Sequence, residues 1–402
     1  MTMLSVVIPA YNEEQGISAI AQRVLAMRDD LSQVGIRELE LLVVDDGSRD
    51  RTAQVAGGIS GVRLIRHPRN RGYGAALKTG FSQARGELIG FLDADGTYPP
   101  EYFPQLCQLA LNGTDLVIGS RMAGAESRMP FTRWMGNFLF ATLLSLIGHQ
   151  RVTDSASGMR VFKREVVERI YPLPDGLNLT PVMSTRAIHE GICIAEVPIP
   201  YSERVGHSKL NVIRDGSVFL QSMIWTALTY NPVSILGIIG LAGIALAGLV
   251  AAGVVAARLL GITTIGPWGV AALFAALVSG VTGISIFALG ITFNDLVSLF
   301  YERPIRQGLF GRPIFKTPID HHFGWMGLLS MTLGVGLAGV SLGLGLNGWE
   351  IARLWLYLLA SAMLILIAVQ LVIYWILLRV LSELSQRATH IKRDMGLMAQ
   401  EA

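Results

Sequence analysis

The sequence predicts an α/β domain built on a mostly parallel sheet, followed by an α-helical transmembrane domain of four spans, and three observations carry that prediction. Charge is divided unevenly along the 402 residues: 46 Asp, Glu, Lys and Arg fall in the first 215 positions and 17 in the last 187. In the first part, short β-branched apolar runs alternate with segments of helical periodicity. In the second, charge-free stretches run from Gly216 to Ala257 and from Leu259 to Asn294, each longer than the roughly 20 residues that cross a bilayer as a helix. At 51% apolar and 16% charged, the chain is too apolar for an ordinary soluble enzyme, which carries about 25% charged residues, and too charged for a membrane bundle alone.

The first run, Leu4 to Pro9, reads as a strand, Ile17 to Met27 as a helix and Leu39 to Val44 as a second strand, so the chain opens as βαβ. Val62 to Ile65, Leu88 to Leu92 and Asp115 to Ile118 continue the pattern, with a helix over Gly74 to Ala84. In such sheets ligands bind outside the carboxyl ends of the strands. Three polar strings fall there: Tyr11-Asn12-Glu13, Asp45-Asp46-Gly47-Ser48 and Asp93-Ala94-Asp95.

From Phe131 to Ile147 the residues Phe131, Trp134, Met135, Phe138, Leu139, Thr142, Leu143 and Leu146 recur at helical spacing. They describe an amphipathic helix able to lie in the headgroup layer, with an ordinary core helix as the alternative on periodicity alone. A second such helix is expected over 212–230. The spans follow at about 232–257, 268–293, 324–346 and 354–378, with Gly261, Gly266 and Pro267 marking the first turn. Gly237, Gly240, Gly243 and Gly248 permit close helix packing, which leaves room for a homo-oligomer formed through the membrane helices. No Asp, Glu, Lys or Arg lies inside a span, which weighs against a conduction pore. Arg303, Arg306, Arg312 and Lys316 lie between spans two and three, and Arg379, Arg387, Lys392 and Arg393 in the tail, against only Arg258 and Arg353 in the opposite turns. The positive-inside rule therefore places both termini and the N-terminal domain in the cytoplasm. The expected organisation is a soluble domain over 1–211, an interfacial helix over 212–230, a transmembrane domain over 231–379 and a cytoplasmic tail over 380–402.

The net charge of +3 sits in short segments beside apolar runs, where it suits an anionic lipid surface and not nucleic acid. Cys107 and Cys193 show neither a CxxC nor a Cys/His ligand spacing, so no disulfide framework or zinc site is signalled and a reducing compartment fits. The start, Met1 to Pro9, has no basic segment and a very short apolar run, unlike a cleaved secretory signal.

Asp93 and Asp95 alternate with Ala94 at a strand end, so both carboxylates can approach one cation. Mg²⁺ is typically held by one or two carboxylates plus substrate phosphates. Aspartates are common in turns, and the pair gains weight from its company. Val-Val-Ile-Pro-Ala-Tyr-Asn-Glu-Glu (6–14), Val-Val-Asp-Asp-Gly-Ser-Arg-Asp (43–50), Asn-Arg-Gly-Tyr-Gly-Ala-Ala-Leu-Lys-Thr-Gly (70–80), Leu-Asp-Ala-Asp-Gly-Thr-Tyr-Pro-Pro-Glu (92–101), Gly-Ser-Arg (119–121), Ser-Gly-Met-Arg (157–160) and Glu-Arg-Val-Gly-His-Ser-Lys-Leu (203–210) occur in order. Together they resemble the family 2 inverting glycosyltransferases, and more narrowly their dolichol-phosphate mannose synthase and polyprenyl-phosphate glycosyltransferase branch.

The resemblance implies a GT-A-like, Rossmann-like domain. Pro9, Tyr11, Glu13 and Asp46 would line the base and ribose, with Asp45 close by, and Lys78, Arg204 and Lys209 would join the donor-binding set. Asp93 and Asp95 would act in catalysis at a Mg²⁺ or Mn²⁺ ion, and Thr97, standing where the family often has Gln or Asp, would complete the metal set, touching the ion directly or through water. Arg121, also counted as catalytic, would meet the acceptor phosphate with Arg133 and Ser208. Guanidinium suits that task on physical grounds, since it presents paired donors to phosphate oxygens. The segment from Arg204 to Lys209 reads either as a solvated charged turn or, by resemblance, as a mobile loop closing over the donor. His207 lies in it without an identified proton to move.

The implied partners are a nucleotide sugar of the GDP-mannose or UDP-glucose type, a polyprenyl or dolichyl phosphate, and the lipid bilayer. The expected reaction is inverting hexose transfer to that phosphate at the cytoplasmic leaflet. Two rivals remain. A processive polysaccharide synthase would carry Gln-x-x-Arg-Trp, but Pro130 stands where the Gln before Arg133-Trp134 should be. A transporter or channel with a nucleotide-sugar-sensing domain fits poorly with the charge-free spans.

Overall fold

The N-terminal strands carry near-continuous apolar runs, as strands covered on both faces do. They are β1 (Met3–Ala10), β2 (Glu38–Asp45), β3 (Val62–Arg66), β4 (Leu88–Phe91), β5 (Leu116–Ser120), β6 (Arg160–Lys163) and β7 (Ile194–Pro198). They form one sheet of seven strands in the order β3-β2-β1-β4-β6-β5-β7. All neighbours run parallel except β6, which is antiparallel to both β4 and β5. The computed structural model describes residues 2–123, 131–148, 150–201, 212–261, 266–301, 319–349 and 351–394. The chain divides into two units, Met1–Ala227 and Leu228–Ala402.

Alternation along the strands builds two cores. Leu4, Val6 and Ile8 face one side with Leu41, Val43 and Val117, while Val7 faces the other with Leu42, Val44, Ile89, Phe91 and Ile118. The first side is covered by α1 (Ile17–Ala26), α2 (Arg28–Gln33), α3 (Thr52–Gly57) and α5 (Phe103–Leu111), which contribute Ile20, Leu31, Ala56 and Leu106. The second is covered by α4 (Tyr73–Gln83), α7 (Arg164–Ile170) and α8 (Leu179–His189), contributing Leu77, Val166 and Met183. The βαβ opening, the helix near Gly74 and the first five strands lie where the periodicity places them. Strands β6 and β7 and helices α2, α3, α5, α7 and α8 are additions. Strand β6 is hidden from pattern reading because it is four residues long and starts with a fully buried arginine.

Helix α6 (Phe131–Gly148) does not pack as a core helix: Asn137, Ala141 and Leu144 are buried, whereas Phe131, Trp134, Met135, Phe138 and Leu139 are exposed by 41–70%. Phe131, Trp134 and Phe138 stack with ring centroids 6.2 and 5.5 Å apart. Helix α9 (Val212–Tyr230) buries Phe219 and Met223 and exposes Val218 and Trp225.

The second unit contains α10 (Pro232–Leu259), α11 (Pro267–Tyr301), α12 (Phe323–Leu346) and α13 (Ile351–Asp394). Among the described residues four stretches, 232–259, 267–297, 323–346 and 354–381, are long and apolar enough to cross a membrane. Helix α11 runs eight residues beyond the expected end of its span, and α13 continues as helix well into the segment expected to be a tail. Backbones come close where glycine allows it. A Cβ at Gly240 would stand 2.6 Å from the Gly283 carbonyl, and one at Gly334 2.8 Å from Ile365. In lipid, such contact takes the place of hydrophobic burial between helices.

Candidate functional site

Strands β1, β2 and β4 are neighbours in the sheet, and the polar residues that follow β1 and β2 are stitched to one another. Asn12, in the left-handed region at φ 52, donates its N–H to Ser48 Oγ and accepts from the Arg49 N–H, both at 2.9 Å. The Glu13 N–H donates to Thr52 Oγ1 at 2.8 Å. At these strand ends lies a cavity of about 580 Å³, lined by Pro9, Tyr11, Glu13, Asp46, Tyr73, Asp93, Asp95, Thr97 and Arg121, among others.

Asp46 reaches the cavity, yet its carboxylate is engaged by protein. Oδ1 accepts from the Arg71 N–H at 2.9 Å and lies 2.7 Å from His67 Nδ1; Oδ2 accepts from the Gly72 N–H at 2.8 Å. His67 is itself buried, with Nε2 2.9 Å from Thr79 Oγ1. Asp46 therefore shapes the 67–72 loop, and at Gly72, where φ is 105, a Cβ would overlap the Asp175 carbonyl. Asp45 is buried beneath and does not line the cavity; it accepts from the Ser48 N–H at 3.2 Å and faces Arg66 at 3.8 Å.

The Asp93/Asp95 pair is held differently on its two members. Asp95 is clamped locally, its Oδ1 accepting from Thr97 N and Thr97 Oγ1 at 3.1 and 2.6 Å. Asp93 Oδ1 accepts from the Tyr73 hydroxyl at 2.7 Å, and a Cβ at Gly158 would overlap the Asp93 carboxylate. Gly158 is kept in place by its N–H, which donates to Tyr98 Oη at 2.7 Å. Burial, and then the charge of Asp93, push the Tyr73 phenol well above its ordinary pKa, so it stays a donor. Among the described residues no group of three or more His, Cys, Asp or Glu could hold a metal ion. Two hard carboxylates on a cavity wall do fit Mg²⁺ or Mn²⁺, provided substrate phosphate and water complete the shell.

Arg121 also lines the cavity. Its Nε and Nη2 donate to Asp154 at 2.7 and 2.8 Å, its backbone N–H adds a third bond at 3.0 Å, and its guanidinium stands 5.6 and 5.7 Å from the Tyr98 and Tyr201 ring centres. Nη1 makes no hydrogen bond among the described residues. Burial works against both charges, but each partner more than offsets it: Arg121 is held above its usual pKa and Asp154 below the usual carboxylate range. Asn137 of α6 donates to Asp154 at 2.9 Å. Glu196 on β7 takes the Thr153 and Asp154 N–H groups at 2.8 and 3.1 Å. Arg160 is fully buried beside Ser155 and Ser157, whose carbonyls accept from it, and burial pushes its pKa down to about 10.

Lys78 does not line the cavity. Its ammonium donates to the Leu173 carbonyl at 2.8 Å and pairs with Asp175 at 2.6 Å, tying down the segment that leads to the cavity-lining Gly176 and Leu177. Arg204, His207, Ser208 and Lys209 lie outside the described residues, as does the side chain of Arg133. The cavity is also lined by Gly136 and Phe140 of α6, Leu177, and Gly216 and Phe219 of α9, which give it an apolar share. Sequence reasoning missed Tyr73, Tyr98, Asn137, Asp154 and His67. Tyr73 and Tyr98 stand inside quoted strings, whereas Asp154, Asn137 and His67 had no spacing signal.

Residues 5–171 match the model of glycosyl transferase family 2, and residues 232–392 match a domain of unknown function, DUF8752. A dolichyl-phosphate hexose transferase of Haloferax volcanii is 33% identical over 225 residues, covering 56% of this chain and 94% of that protein. An undecaprenyl-phosphate 4-deoxy-4-formamido-L-arabinose transferase of Photorhabdus laumondii is 31% identical over 313 residues, covering 76% and 92%. Among solved structures, glucosyl-3-phosphoglycerate synthase from Mycobacterium tuberculosis aligns with a TM-score of 0.46 at 23% identity, covering 57% of this chain and 78% of that one.

Proposed function

The chain belongs to glycosyl transferase family 2, and from that premise we propose that this membrane glycosyltransferase moves a hexose from a GDP-mannose or UDP-glucose type donor to the phosphate of a polyprenyl or dolichyl phosphate. The observation that carries the reading is the mixed lining of one cavity, which brings the strand-end carboxylates and Arg121 together with Phe140 of α6, Leu177 and Phe219 of α9. A polar donor and a greasy phosphate are the pair of substrates such a space suits. Relatives named for transfer to dolichyl and undecaprenyl phosphates support the acceptor.

In this reading the nucleotide rests on Pro9, Tyr11 and Glu13. A Mg²⁺ or Mn²⁺ ion held by Asp93 and Asp95 would supply charge neutralisation for the departing nucleoside diphosphate, while Thr97 orients Asp95. Lipid phosphate is anionic near neutral pH and needs little help from a base. The protein's work is then alignment for in-line, inverting attack and stabilisation of charge. Arg121 has one face committed to Asp154 and would offer its Nη1 to the acceptor, where Arg133 and Ser208 would join it, while Arg204 and Lys209 would serve the donor. The outward apolar face of α6 would rest in the headgroup layer, and by the positive-inside rule the catalytic unit and both termini would lie on the cytoplasmic side.

Purified full-length protein is tested with labelled GDP- and UDP-sugars, polyprenyl phosphate and Mn²⁺. The expected product is chloroform-soluble, labile to mild acid and formed from one donor class. A base-stable polymer would point to a processive synthase, and no turnover with any donor would remove the enzymatic assignment of these substrates.

A further inference from the structure

The two carboxylates of the strand-end pair are held by different means, and the difference singles out a residue with no assigned role. Asp95 is oriented by Thr97, two positions on, through both a backbone and a hydroxyl donor. The bond that orients Asp93 comes from twenty residues away: the Tyr73 hydroxyl donates to its Oδ1 at 2.7 Å. Behind the carboxylate, Gly158 leaves just enough space for it. Tyr73 opens α4, directly after Gly72, whose N–H is fixed by Asp46. The phenol is thus placed by the loop that shapes the donor side of the cavity.

We propose that Tyr73 is a positioning residue for the divalent-cation site, turning Asp93 so that it and Asp95 present their oxygens to one ion. This rests on the reading of the Asp93/Asp95 pair as the cation site. A carboxylate only accepts hydrogen bonds and a phenol can donate one, so the contact fixes which oxygen faces protein and reduces the ordering needed when a cation arrives. Groups that hold a metal-binding carboxylate in place typically change metal affinity by about 10- to 100-fold when removed. A merely structural tyrosine would instead change stability and leave metal affinity alone.

The test is a Mn²⁺ titration followed by electron paramagnetic resonance on the full-length protein in detergent, with saturating GDP or UDP present, comparing wild type, Tyr73→Phe and Asp93→Asn. Phenylalanine keeps the ring and removes the donor. The expected result for Tyr73→Phe is Mn²⁺ binding weakened about 10-fold or more, an unchanged melting temperature, and a loss of turnover at low Mn²⁺ that is recovered as Mn²⁺ is raised. Mn²⁺ affinity within twofold of wild type, or a loss of turnover that excess Mn²⁺ does not recover, overturns the proposal. Tyr73→Met, flexible enough to refill the space, gives the same readout should the phenylalanine variant fail to fold. If Asp93→Asn binds Mn²⁺ as well as wild type does, the cation-site reading itself falls, an outcome distinct from failure at Tyr73 alone.

Discussion

The two units of the chain are held together by different physics. Between Met1 and Ala227, polar groups do structural work at long range: Asp46 organises the 67–72 loop, Glu196 the 153–154 segment, and Asp154 both Arg121 and Asn137. Between Leu228 and Ala402, hydroxyls mostly bond carbonyls of their own helix, as Ser285 does to Val281, Thr292 to Ala288 and Ser341 to Leu337. There, glycines bring helices into contact. The first unit should therefore be sensitive to charge and the second to volume.

The contrast is sharpened first at Asp95. Asp95→Asn keeps the shape of the site and removes the charge, so turnover should fall at least about 10²- to 10³-fold, the scale of losing a group that stabilises developing charge. Retained activity in a labelled-sugar assay would remove Asp95 from the chemistry.

Asp154→Asn should be the costliest change to stability. It leaves Arg121 buried without its counter-charge, a loss of about 3–5 kcal/mol for breaking a buried pair, read by denaturant or thermal unfolding. The same pair sets an acid limit. Because the folded-state pKa of Asp154 is depressed, its contribution is complete above the unfolded carboxylate value of about 4 and is lost as pH falls through the lower folded value. A melting temperature flat from neutral pH to well below 4 would contradict this.

In the second unit the sign of charge should matter little and a methyl group much. Gly240→Val places side chain against the Gly283 backbone and should cost about 1–3 kcal/mol, lowering the melting temperature in detergent while nucleotide binding by the first unit is retained. At Gly248 nothing lies within 4 Å of a new Cβ, so Gly248→Ala should stay within about 0.5 kcal/mol of wild type. Equal effects at the two glycines would break the account of packing.

The legible parts of this molecule were those with strong local signals. Apolar runs placed β1 to β5 and the four membrane stretches; strand-end polar strings singled out Tyr11, Glu13, Asp93 and Asp95, and the resemblance added Pro9 and Arg121, all of which line one cavity. What stayed hidden depends on partners far apart in the chain. Nothing near Arg121 announces that Asp154, 33 residues on, takes two of its nitrogens. Lys78, which the resemblance put in the donor-binding set, is tied to Leu173 and Asp175 instead. Asp46 and Thr97 sit on the cavity wall, but their polar atoms serve neighbouring protein groups, a distinction that residue type and spacing do not encode.

The claim on which the rest depends is that sugar ends on a phosphate. Phosphorus NMR of a turnover mixture containing polyprenyl phosphate, donor and Mn²⁺ reads this directly. The lipid monoester resonance should convert to a phosphodiester in step with release of nucleoside diphosphate. Release of nucleoside diphosphate while the monoester resonance stays unchanged would contradict the claim.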